Sequence, residues 1–202
     1  MTGNSERRNE ILDNCYPLVA DTDALKLVET TDFSDQLYEN IGVTTTKTCY
    51  DELENNRTNN HLFQKACNRF NNSNNSPNIV TSEGIQSGRD SGEESIKALL
   101  DMEQEAGRED IQGVYILDFN ARKKGGPLHD VRPEVLPPNI LIANLKEQVS
   151  GFDKKEACEA TESMIIYLEP MKATRMKSLW SALDIDCRPH ISAMKWRRFN
   201  LK

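Results

Sequence analysis

The chain has 202 residues, 37% of them hydrophobic and 28% charged, with a net charge of −7 and a mean hydropathy of −0.65. This composition lies toward the disordered side of the hydrophobicity–charge boundary, so a single core that takes in all 202 residues is not expected. No run approaches the roughly 18 apolar residues that a membrane-crossing helix needs.

The opening MTGNSERRNEILDN lacks the apolar stretch of a signal peptide, and Thr2 stands where myristoylation would need glycine. The cysteines, Cys15, Cys49, Cys67, Cys158 and Cys187, are odd in number and scattered. With no secretory signal they read as reduced thiols of a cytoplasmic or nuclear protein. The glycosylation-like triplets at Asn56, Asn71 and Asn74 fall in an Asn-rich stretch where that pattern arises by chance.

In chain order, residues 1–70 carry short apolar islands among polar residues. These are Ile11, Leu12, Tyr16, Leu18 and Val19, then Leu25, Leu27 and Val28, then Phe33, Leu37, Tyr38 and Ile41. The third island has helical spacing, with Thr31 or Asp32 as a cap. Helices this short are marginal alone, so the islands are expected to fold on a partner or to contribute weakly to a core. HLFQKACNRF, His61 to Phe70, is a further helix-like island between NNRTNN and NNSNNSPN. Residues 71–92, rich in Asn, Ser and Gly, read as a flexible linker.

Beyond the linker the pattern becomes regular. A helix capped by Ser91 or Ser95 is predicted to about Ala106, with Gly107 ending it. GVYILDF, Gly113 to Phe119, is the best strand candidate. ARKKGGPLHDVRPEVLPP reads as a loop, its KKGGP a glycine turn carrying cations. Further helices are predicted from Asn139 to Gly151, from Asp153 to Pro170, and around Met176, Leu179, Trp180 and Leu183. The expected architecture is mainly α, with at most one or two short strands. An ordered helical domain over 93–187 follows a largely disordered acidic N-terminal half, and a basic aromatic tail occupies 188–202. Residues 171–202 hold eight Lys or Arg against Asp184 and Asp186, a balance of +6, which leaves −13 for the rest. Such asymmetry suits two kinds of partner.

Several motifs bear on function. RDSGEES, Arg89 to Ser95, resembles a phosphodegron at Asp90, Ser91, Gly92 and Ser95, with Glu93 where an apolar residue is usual. Phosphates on Ser91 and Ser95 would add charge for an arginine-lined pocket. The alternative is that either serine is only a helix cap whose acidic neighbours complement the helix dipole. KWRRFNLK interleaves Trp196 and Phe199 with Lys195, Arg197, Arg198 and Lys202. Such a tail can stack on bases and meet phosphates, dock on an acidic protein, or fray in solvent.

Cys187-x-x-His190 lacks a second ligand pair, and Cys49, His61 and Cys67 lie far apart in sequence, so no metal site is expected. His61, His129 and His190 fall in predicted loops or at element edges, and no hydrolase, phosphate-loop or metalloprotease motif occurs. No catalytic constellation and no cofactor are therefore expected.

The layout resembles the phosphoproteins of non-segmented negative-strand RNA viruses. The corresponding regions are about 1–41, a Ser- and acid-rich middle at 71–95, and a helical C-terminal region at 139–202. The resemblance implies a polymerase cofactor that holds a nucleoprotein, or an antagonist of a host pathway. The expected function is a non-enzymatic adaptor. It would bind protein partners through Phe33, Leu37, Tyr38, Ile41, Trp180, Trp196 and Phe199, with no membrane contact and an open oligomeric state. The alternative is a nucleic-acid-binding regulator acting through Lys195, Arg197, Arg198 and Lys202.

Overall fold

A computed structural model describes residues 2–31, 34–35, 38, 42–72, 78–81, 91–122, 124–132, 135–136 and 163–164. Helix α1 (Thr2–Asp13) leads into strand β1 (Leu18–Ala20) and helix α2 (Thr22–Val28). Strand β2 (Val43–Thr46) continues directly into α3 (Lys47–Asn56), followed by α4 (His61–Asn72) and β3 (Asn78–Val80). Helix α5 (Ser91–Glu105) precedes β4 (Gly113–Tyr115), a short α6 (Phe119–Arg122) and β5 (Val135–Leu136).

The five strands form one sheet in the order β3-β2-β1-β4-β5, and every pairing is parallel. Parallel neighbours need crossovers, which the helices supply. The chain steps outward from β1 through β2 to β3, then returns to lay β4 on the other flank of β1. Connections leaving the carboxyl ends of β1 and β4 therefore part in opposite directions. That topological switch is where an open α/β sheet forms its crevice.

Helices cover the sheet, as parallel sheets require. Val19, Val43, Val114, Ile116 and Leu117 are fully buried. Val19, Val114 and Ile116 share one core cluster with Leu12 of α1, Cys49 of α3, and Ile96 and Leu99 of α5, and Leu53 of α3 is buried as well. Met164 is also buried. Helix α5 ends at the glycine expected to stop it. Gly107 has φ +67°, its N–H bonds to the Gln104 carbonyl, and Arg108 N–H bonds to that of Glu103.

This α/β architecture overturns the expectation of a mainly α chain with a disordered N-terminal half. Among the described residues, three of the five strands and four of the six helices lie within the first 80. The physical reason is strand length. The strands have two to four residues, too few to show a period. Strand β2 is Val-Thr-Thr-Thr, which reads as polar in a hydropathy profile. Its hydroxyls are nonetheless satisfied inside: Thr44 Oγ1 accepts from Tyr16 N–H at 2.7 Å, and Thr45 Oγ1 donates to the Ala20 carbonyl at 2.9 Å. The stretch 71–92 contains β3, α6 runs from the last residue of the predicted strand into the predicted loop, and β5 lies inside that loop. Strand β4 falls within GVYILDF. Residues 188–202, and all of 139–187 except Ser163 and Met164, lie outside the described residues. No helix among the described residues is long and apolar enough to cross a membrane.

Candidate functional site

Two apolar runs in this chain end in aspartate: Leu18-Val19-Ala20-Asp21 and Val114-Tyr115-Ile116-Leu117-Asp118. Both aspartates leave the carboxyl ends of strands that flank the switch point. Asp21 N–H bonds to the Tyr115 carbonyl at 3.2 Å, which fixes the two strand ends beside each other. Asp21 is the N-cap of α2, its Oδ1 accepting from Ala24 N–H at 2.6 Å, and the residue is only 6% exposed. Asp118 Oδ1 accepts from Asn120 N–H at 2.7 Å and opens α6.

Two further acids approach from neighbouring crossovers. Glu52 lies on α3, six residues past the end of β2. Its Oε2 stands 2.8 Å from Thr22 Oγ1, whose other neighbour is the Cys49 carbonyl at 3.0 Å. Glu93 sits in the first turn of α5. Close packing sets this helix against α3: a Cβ at Gly92 would lie 3.3 Å from Cys49 Sγ and 3.7 Å from Glu52 Oε2.

Beneath the acids runs a sealed polar seam. Thr46 Oγ1 and Ser95 Oγ are 2.5 Å apart, Ser95 Oγ lies 2.6 Å from the Gly92 carbonyl, and Cys49 N–H donates to Thr46 Oγ1 at 3.3 Å. Thr46, Cys49 and Ser95 are fully buried.

The electrostatics follow from this placement. Burial drives the Asp21 carboxyl well above the ordinary carboxylate range. Asp23 pushes the same way, the Ala24 N–H opposes, and Glu93 and Glu52 add further repulsion. A buried carboxyl pressed by other acids holds its proton more tightly than an exposed one. Burial also raises the Cys49 thiol to about 12, so it is not a nucleophile here.

An all-oxygen acidic set has the chemistry of a site for a hard divalent cation. Among the described residues, however, no three His, Cys, Asp or Glu side chains group closely enough to grip an ion. Asp21, Glu52 and Glu93 would have to draw together around one.

None of the residues singled out from sequence is one of these acids. Tyr38 is 2% exposed, under Arg69 at 5.6 Å, and its hydroxyl is buried without a partner. Ser91 is the first, half-buried residue of α5. Ser95 is 0% exposed with its hydroxyl engaged, so a kinase cannot reach it in the folded chain. Phe33, Leu37, Ile41, Trp180, Lys195, Trp196, Arg197, Arg198, Phe199 and Lys202 lie outside the described residues. Sequence reasoning missed Asp21, Glu52, Glu93 and Asp118. The available signal was an acid placed directly after an apolar run, at what proves to be a strand end.

The sequence matches the family model described as Halobacterial PIN domain over residues 11–195. No curated protein and no solved structure matches the chain significantly. The family match overturns the resemblance to viral phosphoproteins, and with it the reading of the chain as a non-enzymatic adaptor or polymerase cofactor. PIN domains are typically nucleases and can contact nucleic acids.

Proposed function

Because the chain belongs to the halobacterial PIN domain family, we propose that it is a nuclease hydrolysing phosphodiester bonds, with RNA as the favoured substrate. The observation that carries this reading is the Asp21 carboxyl. It is buried at the switch point, raised well above the usual range, and repelled by Glu93 and Glu52. Structural carboxylates are normally paired with cations. A carboxylate crowded by acids at a crevice is held there for chemistry.

In the reaction a water oxygen bonds to phosphorus and the bond to a bridging sugar oxygen breaks. The proton of the attacking water passes to solvent, while Asp21, Glu52 and Glu93 would together hold the cation. Solvent protonates the leaving oxygen. Thr22 holds Glu52 in place through its hydroxyl, and α5 presents Glu93. A bound divalent cation would neutralise these acids and screen the phosphate charge. The basic tail, with Lys195, Arg197, Arg198 and Lys202, would add phosphate contacts. Among the described residues Cys15, Cys49 and Cys67 form no disulfide, which suits a reducing, cytoplasmic setting.

The test is cleavage of end-labelled single-stranded RNA with Mg²⁺ or Mn²⁺. Asp21→Asn, Glu52→Gln and Glu93→Gln should each lower the rate by on the order of 10²-fold or more, and a chelator should abolish it. A folded wild-type chain that binds RNA but never cuts it would sink the reading. It would favour a second one, a nucleic-acid-binding domain without catalysis, which the lack of a closely grouped acid triad among the described residues supports.

A further inference from the structure

The first turn of α5 is seated tightly on α3. Gly92 is buried there. A Cβ on it would stand 3.3 Å from Cys49 Sγ, tighter than ordinary van der Waals contact, and 3.7 Å from Glu52 Oε2. With no Cβ at residue 92, the Glu52 carboxylate lies directly against the start of α5. Gly92 is helical and outside the left-handed region, so its backbone would accept alanine. It is the approach to α3 that demands glycine.

Hydrogen bonds lock this seating. Ser95 Oγ lies 2.6 Å from the Gly92 carbonyl and 2.5 Å from Thr46 Oγ1. Thr46 ends β2 and is the N-cap of α3, where its Oγ1 accepts from Cys49 N–H. On the other side, Thr22 Oγ1 joins the Cys49 carbonyl to Glu52 Oε2. Thr22 follows Asp21, the cap of α2. Asp21, Glu52 and Glu93 thus ride on three helices that are tied together within a few residues of each acid. Glu93 is the neighbour of Gly92, so the spacing of α5 from α3 sets the spacing of Glu93 from Glu52.

We infer that Gly92 is a positioning residue: its missing side chain brings α5 close enough to α3 for Glu93 and Glu52 to draw together around one small divalent cation, Mg²⁺ in preference to Ca²⁺. The inference rests on the nuclease reading and deepens it. Mg²⁺ demands near-ideal octahedral oxygens at about 2.0–2.1 Å, whereas Ca²⁺ accepts looser sets at about 2.3–2.6 Å. A methyl at residue 92 would wedge the two helices apart by a few tenths of an ångström. Such a wedge penalises the smaller ion more.

The test is calorimetric titration of the full chain with Mg²⁺ and with Ca²⁺, without nucleic acid, on wild type, Gly92→Ala, Cys49→Ala and the double variant. Gly92→Ala puts a better helix former at a helical position, so the chain should still melt cooperatively. Its Mg²⁺ affinity should fall on the order of 10-fold, as when a group that orients metal ligands is lost. Its Ca²⁺ affinity should fall less. Cys49→Ala takes away the sulfur that the methyl meets, so the double variant should regain the Mg²⁺ affinity of Cys49→Ala alone. Unchanged Mg²⁺ affinity in Gly92→Ala overturns the inference and leaves the nuclease reading standing. So does an equal loss for both ions, or a double variant no better than Gly92→Ala. Should Gly92→Ala fail to fold, Ser95→Ala takes its place. It releases the Gly92 carbonyl from its anchor without adding an atom, and should weaken Mg²⁺ more than Ca²⁺; equal affinities to wild type would again overturn the inference. A wild type that binds neither ion overturns it too, and the nuclease reading falls with it only if that chain also leaves end-labelled RNA uncut.

Discussion

Replacing Asp21 with asparagine separates the two jobs of that side chain. Asparagine caps a helix about as well as aspartate, so the bond to Ala24 N–H survives. What disappears is a buried charge pressed by Asp23, Glu93 and Glu52. The folded carboxyl titrates above its unfolded value of 3.8, so the folded state binds the proton more tightly. Stability is therefore unpenalised below pH 3.8, falls as pH rises through the window above it, and stays reduced beyond the folded pKa. Asp21→Asn should accordingly raise stability at pH 7 by roughly 0.5–2 kcal/mol, the range of common single stabilising substitutions. The gain should fade as pH falls toward 3.8. Thermal melts of both proteins between pH 3 and 8 check this, and a loss of stability at pH 7 would mean that the carboxylate is paired rather than crowded.

At the scale of elements, the seam between β2 and α5 holds the acids in register. Thr46 and Ser95 are buried and share one hydrogen bond, and Ser95 also engages the Gly92 carbonyl. Ser95→Ala and Thr46→Val should each cost about 1–3 kcal/mol, because each strands a buried polar partner. The double variant should cost less than the two added together, since the shared Thr46–Ser95 bond is lost only once, although Cys49 N–H loses its acceptor. Denaturant titration of the four proteins gives the coupling energy, and simple additivity would show that the bond contributes nothing specific. These elements also show what was legible in sequence. Helix α5 carried a cap, a 3.6-residue apolar period and a stop glycine over fifteen residues, enough to be read without the fold. Strand β4 announced itself through GVYIL. The sheet as a whole could not be read, because strands of two to four residues show no period and β2 hides three threonines in the core. The site was illegible for a related reason. Asp21, Glu52, Glu93 and Asp118 are scattered over nearly a hundred residues. Nothing local joins them until the sheet order places β1 beside β4.

At the scale of the whole molecule, if Asp21, Glu52 and Glu93 draw together around a divalent cation, the folded chain becomes a better ligand for it than the unfolded form. In the unfolded chain Asp21, Glu52 and Glu93 are far apart, so an ion that needs them together binds the native state and stabilises it by mass action. At a hundred times the dissociation constant the gain is about 2.7 kcal/mol. For a domain of this size that is a rise in Tm of roughly 5–10 °C. Mg²⁺ or Mn²⁺ should produce this shift in wild type and not in Asp21→Asn. The same ionic strength supplied as a monovalent salt should produce little of it, because screening does not depend on those three acids. A shift of equal size in wild type and Asp21→Asn would place the cation on the general acidic surface. No shift in either, at concentrations where RNA still binds, would favour a domain that holds its strand without cutting it.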